Sequence, residues 1–429
     1  MATKTWRLVL ALTAGAILAA GTAVADDFYK GKTIKIVVGY TSGGGYDIYA
    51  RLLARHMGKH IEGNPNVVVE NMPGAGSLTA ANYLFGRAPK DGTEFGTFSR
   101  TIVLTALADK GGNAKFKSEE FTWIGTPASY ADDAYVLLIR SDIPIHSLDE
   151  LRASGRVLHM GNTAPGTSDA DITLLMAAIL KLKVNEISGY PGGNSVSLAI
   201  ERGEVDGRMI GLSSINSSMP HWLPNKVVRP LLQFARETRH PTMPDVPTAR
   251  ELAKGDKEAR ELVELAEMPF LLARPFAGPP GIPPERVKML QEAFMKTNAD
   301  PDYLAEAKKL QLDISPKNGE EVRKLVVRLG QIPPALMERY QAILSSGVFT
   351  PRTVNLIEVS GGKIVQLDNQ GNKVRFESGG KQLHTDVDAD GTDVRIADKK
   401  GKWDDLKVGM ICDVNYEGDG TIATKLACK

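Results

Sequence analysis

Three short turns in this chain combine glycine with hydroxyl or amide side chains, a chemistry suited to binding an anion. The first is Thr41-Ser42-Gly43-Gly44-Gly45-Tyr46-Asp47. The second is Glu70-Asn71-Met72-Pro73-Gly74-Ala75-Gly76-Ser77, and the third Gly161-Asn162-Thr163-Ala164-Pro165-Gly166-Thr167-Ser168. Glycine lets the backbone come close to a ligand, and Ser or Thr hydroxyls can cap a helix or bond an oxyanion. Each turn follows a β-type run and precedes a helical pattern. Free backbone N–H groups and the positive end of a helix dipole then meet in one place. One such turn usually serves only to reverse the chain; three in one chain suggest a site.

Other constellations point to less. Ser99-Arg100-Thr101 follows the β-type run 94–98. Arg100 suits a bidentate pair with a carboxylate, the alternative being an exposed surface arginine. His56 and His60 are four apart, but the glutamate of HExxH is missing, so zinc is not expected. Gly166-Thr167-Ser168-Asp169-Ala170 only echoes GxSxG, with no assignable base. Gly43-Gly44-Gly45 lacks the dinucleotide spacing. The run from Asp386 to Gly391 matches half of a calcium loop, yet Ala397 stands at the twelfth position, so an Asp-rich β-turn is the expectation. No catalytic residue, metal or cofactor is expected.

These turns need a scaffold. β-type runs at 33–39, 66–70, 95–98, 134–140, 157–161, 186–189, 207–211, 228–235 and 269–274 alternate with helical patterns. The helical patterns include 47–61, 77–86, 168–181, 194–203 and 318–344, while 118–130 reads as loop. The alternation predicts an α/β fold with largely parallel sheets. Near residue 350, between Gly347 and Pro351, the texture changes. Residues 353–429 are short β-type runs separated by Gly and Asp turns, which predicts a small all-β barrel, OB-like, or a sandwich.

Residues 1–25 read as a secretory signal peptide. Lys4 and Arg7 precede an apolar run shorter than the roughly 20 residues of a membrane span, and Ala23-Val24-Ala25 fits a cleavage site. The expected product is periplasmic, cut after Ala25, and no later stretch is apolar enough to span a bilayer. Without Lys4 and Arg7 the chain carries 50 Lys+Arg against 51 Asp+Glu, a balance that gives no support for nucleic-acid binding. Cys412 and Cys428 are the two cysteines. In an oxidising compartment they are expected to form a disulfide, with two buried thiols as the alternative.

Taken together the blocks resemble the substrate-binding proteins of tripartite tricarboxylate transporters, the Bug or TctC family. The likeness begins at Tyr29-Lys30-Gly31-Lys32-Thr33-Ile34 and runs through the first two turns and Ala88-Pro89-Lys90-Asp91-Gly92-Thr93. It returns at Tyr190-Pro191-Gly192-Gly193, Met243-Pro244-Asp245-Val246-Pro247-Thr248 and Ala277-Gly278-Pro279-Pro280-Gly281-Ile282-Pro283. The resemblance implies a two-lobed, type II periplasmic-binding fold with two crossovers and a ligand cleft between the lobes. Lobe 1 would be 28–141 plus 267–350, and lobe 2 would be 142–266. It implies capture of a small carboxylate and delivery to membrane permease subunits. The ligand would sit on Thr41, Ser42, Gly43, Gly44, Gly45 and Asp47, on Asn71, Gly74, Ala75, Gly76 and Ser77, and beside Ser99, Arg100 and Thr101. Asn162, Thr163, Gly166, Thr167 and Ser168, with Pro191, Gly192 and Gly193, would close from lobe 2.

The chain departs from the family pattern at three places. Tyr46-Asp47 replaces the usual Thr-Asp pair. Asp169 and Asp171 open the helix after the third turn, where they either cap it or face the ligand and alter its charge preference. Residues 353–429 are an addition, expected to serve partner contact, dimerisation or stability and to leave ligand affinity unchanged when removed. A carboxylate-sensing or scaffold protein on the same core is the runner-up reading, and an exported hydrolase a distant third.

Overall fold

The computed structural model describes residues 27–109, 111–352, 356–368, 373–387, 392–397 and 399–429. The expected signal peptide at 1–25 and the 388–391 part of the calcium-like turn lie outside the described residues.

Two mixed sheets form the body. The first begins with β1 (Thr33–Val38), β2 (Asn66–Asn71), β3 (Glu94–Thr97) and β4 (Thr122–Thr126). The second takes β5 (Tyr135–Arg140), β6 (Val157–Asn162), β7 (Lys183–Ser188), β8 (Gly207–Gly211) and β9 (Val228–Phe234). The chain returns to the first with β10 (Phe276–Gly278) and β11 (Lys317–Asn318), and to the second with β12 (Phe349–Pro351). The strand orders are β11-β4-β10-β3-β1-β2 and β12-β7-β6-β8-β5-β9. β1 with β2 and β3, and β6 with β7 and β8, are parallel, as the alternating pattern predicts. β5 and β10 run antiparallel to their neighbours. Each enters its sheet from the other lobe, so it arrives from the opposite end.

Local packing explains the elements. β1 is nearly all β-branched, with Ile34, Ile36, Val37 and Val38 fully buried. The helix Gly45–Met57 turns Tyr49, Leu52, Leu53 and Met57 inward, the i, i+3, i+4 stripe of a core-facing helix. The helix Ser168–Leu180 is buried at every position from 168 to 177, which makes it a central strut rather than a surface helix.

The structure corrects several sequence expectations. The 118–130 segment contains β4, whose strand-favouring run Thr122-Trp123-Ile124 is only three residues long before Gly125 and Pro127 interrupt it. The 269–274 run is a 3-10 helix at Met268–Leu272, and the strand comes later at 276–278. The long pattern 318–344 is two helices, Gly319–Leu329 and Pro334–Ser345, divided at Pro333-Pro334. The boundaries 28–141 and 267–350 do not follow the sheets, because β5 and β12 pair in the second one. The helix Pro334–Ser345 likewise joins the second lobe, where the Tyr340 hydroxyl donates to Asp171 Oδ2 at 3.3 Å.

The C-terminal module is all-β. Its strands are β13 (Ile357–Asp368), β14 (Lys373–Ser378), β15 (Lys381–Asp386), β16 (Asp393–Ile396), β17 (Lys399–Lys400), β18 (Ile411–Tyr416) and β19 (Lys425–Cys428). The sheet curls back on itself. Asp386 N–H donates to the Thr421 carbonyl at 2.9 Å, and Ala423 N–H to the Asp386 carbonyl at 2.8 Å. Ile364, Phe376, Val414 and Leu426 fill the barrel, and a Cys412–Cys428 disulfide ties β18 to β19. Arg352 pairs with both carboxylate oxygens of Glu417, and the Arg202 guanidinium donates to the Glu417 and Asp419 carbonyls, each at 3.1 Å. These bonds seat the module against the second lobe.

Two outcomes follow. Closing a loop of this size contributes about 3 kcal/mol in the chain-entropy model, so Cys412→Ser should move the module's calorimetric transition down while the main transition changes little. An unmoved transition would count against a stabilising bond. Burial pushes the Asp171 carboxyl up to about 7. The folded chain then keeps a proton that the unfolded chain releases near pH ~4, so stability falls as pH rises from about 4 towards 7. Asp171→Asn should flatten that part of the Tm–pH curve; an unaltered slope would assign it to other groups.

Candidate functional site

The two lobes meet at a cavity of about 70 Å³. Four helices begin on its wall: Gly45–Met57, Ser168–Leu180, Gly193–Glu201 and Leu212–Ser218. The first three have no side-chain bond at the N-cap and present unsatisfied N–H groups and the positive end of the dipole. In the short fourth helix the Ser213 amide donates to Asp133 Oδ1 at 3.0 Å.

Three arginines line the same space: Arg100, Arg208 and Arg274. Arg208 is bonded to the carbonyls of Gly193 and Met209 and to Ser197 Oγ, and lies 3.6 Å from Asp169. The other two are different. Arg100 is 3 % exposed and Arg274 1 %. Among the described residues neither has a carboxylate within 4.0 Å, and Arg100 Nη1 and Arg274 Nε and Nη1 have no hydrogen-bond partner. Arg100 donates through its backbone N–H and Nε to the Tyr46 hydroxyl, at 3.0 and 3.3 Å, and lies over the Phe270 and Tyr130 rings. Arg274 Nη2 donates to Ser214 Oγ at 3.0 Å and its guanidinium covers the Tyr49 ring. Ring faces lessen the cost of a buried cation without neutralising it.

The expected site residues divide into three groups. Gly44, Gly45, Arg100, Thr163, Ser168 and Gly193 reach the cavity. Gly74, Ala75, Gly76, Ser77 and Pro191 line a second, larger cavity instead, with Thr163 shared between the two. The remainder hold the turns in place. Asp47 accepts from Gly43 N–H, Arg51 Nε and Asn71 Nδ2, at 2.8–2.9 Å, and so clamps the first turn to the second. Ser99 N–H donates to Ser77 Oγ at 2.7 Å, fixing a bend in which Ala75 and Ser77 are both left-handed. Thr101 Oγ1 donates to the Gly166 carbonyl at 2.7 Å, a bond between the lobes. Asn162 turns away, held by Glu186 and by Ser188 Oγ. No lining role is seen for Ser42.

The third turn spends its amides on itself. Thr163 N–H donates to Asp169 Oδ2 at 3.1 Å, and Gly166 N–H to Asp171 Oδ1 at 3.0 Å. The Thr167 hydroxyl also bonds to Asp169. Both aspartates therefore tie up the turn, and only Asp169 reaches the inner cavity. Glycine in the other turns also has a steric task. A Cβ at Gly192 would lie 2.0 Å from Thr41 Oγ1, and one at Gly45 would lie 2.5 Å from Ser214 Oγ. These positions let the two lobes close on each other.

Sequence reasoning missed Tyr46, Arg208, Arg274 and Ser214. A signal was present for the two arginines, each a single charge inside an apolar run (Phe270-Leu271-Leu272-Ala273-Arg274 and Arg208-Met209-Ile210). A charge in such a run is buried and needs a reason to be there.

A family model described as "Tripartite tricarboxylate transporter family receptor" matches residues 49–372. A UPF0065 protein from the gbd 5' region of Cupriavidus necator is 28% identical over 335 residues, covering 77% of this chain and 94% of the relative. Among solved structures, the periplasmic binding protein BugD aligns with a TM-score of 0.60 at 21% identity, over 75% of this chain and 100% of its own. MatC from Rhodopseudomonas palustris, solved with bound malate, aligns with a TM-score of 0.55 at 22% identity, over 73% and 99%. The family match ends at residue 372, so most of the β module lies beyond it. With the family model matching most of its length and both lobes folded as in those structures, the chain belongs to the TctC receptor family of tripartite tricarboxylate transporters.

Proposed function

We propose that this protein is an exported, periplasmic solute receptor that captures a carboxylate between its lobes and hands it to membrane permease subunits of the tripartite tricarboxylate type. One observation carries the reading. Arg100 and Arg274 are buried beside the N-terminus of the helix starting at Gly45, and among the described residues no carboxylate forms a direct ion pair with either. A buried charge without a partner is costly, and a carboxylate in that cavity would supply the missing charge through short, directional bonds. The helix starting at Gly45 would add its first amides.

This differs from a site made of glycine-turn amides alone. The third turn's amides are already bonded, so the two guanidiniums and the first turn would do most of the gripping. The cleft would bind and release without catalysis. Relatives that hold acids lend support, as with MatC and its malate. Among the described residues no helix is long and apolar enough to cross a membrane, which accords with a receptor that relies on partner subunits for translocation.

The test is a thermal-shift screen of carboxylic acids followed by calorimetric titration of the best. A ligand at 100 times its Kd should add about 2.7 kcal/mol of stability. Arg100→Met and Arg274→Met should each weaken that ligand at least tenfold. The ligand-free variants should melt no lower than the parent, because an unpaired buried charge has been removed. Full affinity in both variants would remove the arginines from the site.

A further inference from the structure

A second cavity, of about 660 Å³, lies beside the inner one. Tyr40 and Thr163 line both, so they form the partition between the two. The outer walls come from three bodies: the 73–77 bend of the first lobe, Tyr190, Pro191 and Ser195 of the second, and Ile422 of the barrel. The appended module is thus part of a cavity that shares Tyr40 and Thr163 with the carboxylate site.

The two cavities differ in charge and size. The inner one keeps two cationic groups without carboxylate partners, and its volume is far below the roughly 300–1,000 Å³ of sites that enclose a metabolite. The outer one falls within that range. Among the described residues its one cation, Arg352, is paired with Glu417 and stacked over Tyr190, so the pair adds no net charge. Most of its remaining surface is apolar, from Tyr40, Tyr190, Phe349, Ile422 and four prolines, with six Ser and Thr residues interspersed. The Tyr40 ring stacks on Tyr46 at 4.8 Å, and Tyr46 bonds to Arg100, so an aromatic path leads from the outer cavity to the inner charge.

We infer that the two cavities hold one amphipathic monocarboxylic acid, its head between Arg100 and Arg274 and its aryl or alkyl body in the outer cavity against Ile422. The barrel then sets the class of acid accepted. This rests on the carboxylate reading of the inner site and adds to it the nature of the rest of the ligand. A second carboxylate on the body would meet no unpaired cation in the outer cavity and would lose its hydration there.

The experiment titrates the full-length exported protein with acetate, butyrate, octanoate, 4-phenylbutyrate and malate. Octanoate or 4-phenylbutyrate should bind at least tenfold tighter than butyrate. Ile422→Lys on the barrel and Ser195→Trp on the opposite wall should each erase that gain and leave butyrate affinity unchanged, butyrate binding serving as the check that each variant is folded. Affinity that is flat along the apolar series, or a gain that both variants retain, overturns the inference. Tight malate binding without tighter binding of the apolar acids overturns it too, while leaving the carboxylate receptor standing. Failure of every acid to bind overturns both.

Discussion

Two guanidinium groups lie inside this protein with no carboxylate of the described residues beside them, and the surrounding architecture makes sense as a way of keeping them there. Ring faces of Phe270, Tyr130 and Tyr49 cover them, and the Tyr46 and Ser214 hydroxyls accept part of their hydrogen-bonding capacity. None of these supplies a negative charge. Asp133 reaches Arg274 only through Ser213, whose hydroxyl donates to Asp133 Oδ2 and accepts from Arg274 Nη2 at 3.5 Å. The fold maintains a positive field in a small cavity, strengthened by helix N-termini from both lobes. Stability given up at such a place is commonly the counterpart of binding.

The glycine turns are read differently once the lobes are in view. A turn that offers amides to an anion and a turn that lets two surfaces touch have the same composition. Gly45 and Gly192 face side chains of the opposite lobe at distances that leave no room for a Cβ. The third turn's amides are occupied by Asp169 and Asp171, which lie six and five residues away in sequence. The second turn has no such internal carboxylate, and its left-handed Ala75 and Ser77 bend it toward the outer cavity. Three turns that look alike in sequence thus have three roles: inner wall, outer wall and self-capped support.

The C-terminal barrel follows the same logic of charge. Its attachment uses Arg352 and Glu417, a half-buried pair that is neutral as a unit, so it closes one side of the outer cavity without adding a competing charge near the arginines. Its own core is small, and the bond between Cys412 and Cys428 restrains the strands next to that wall.

The sequence by itself determined the fold class, many of the elements in both lobes, the separate β module and the family, because these depend on periodicity and on turn residues that are local in the chain. Val37 beside Gly39 and Gly43 announces strand and turn wherever the segment ends up. It also singled out Arg100. What only the tertiary structure decided was which side chains share a cavity. Arg100 and Arg274 are 174 positions apart and meet because β10 crosses back into the first sheet. Asn162 and Ser168 belong to one turn, yet one faces the interior behind β6 and the other the cavity. Burial and the pairing of distant charges arise from packing across lobes, and no short-range pattern encodes them.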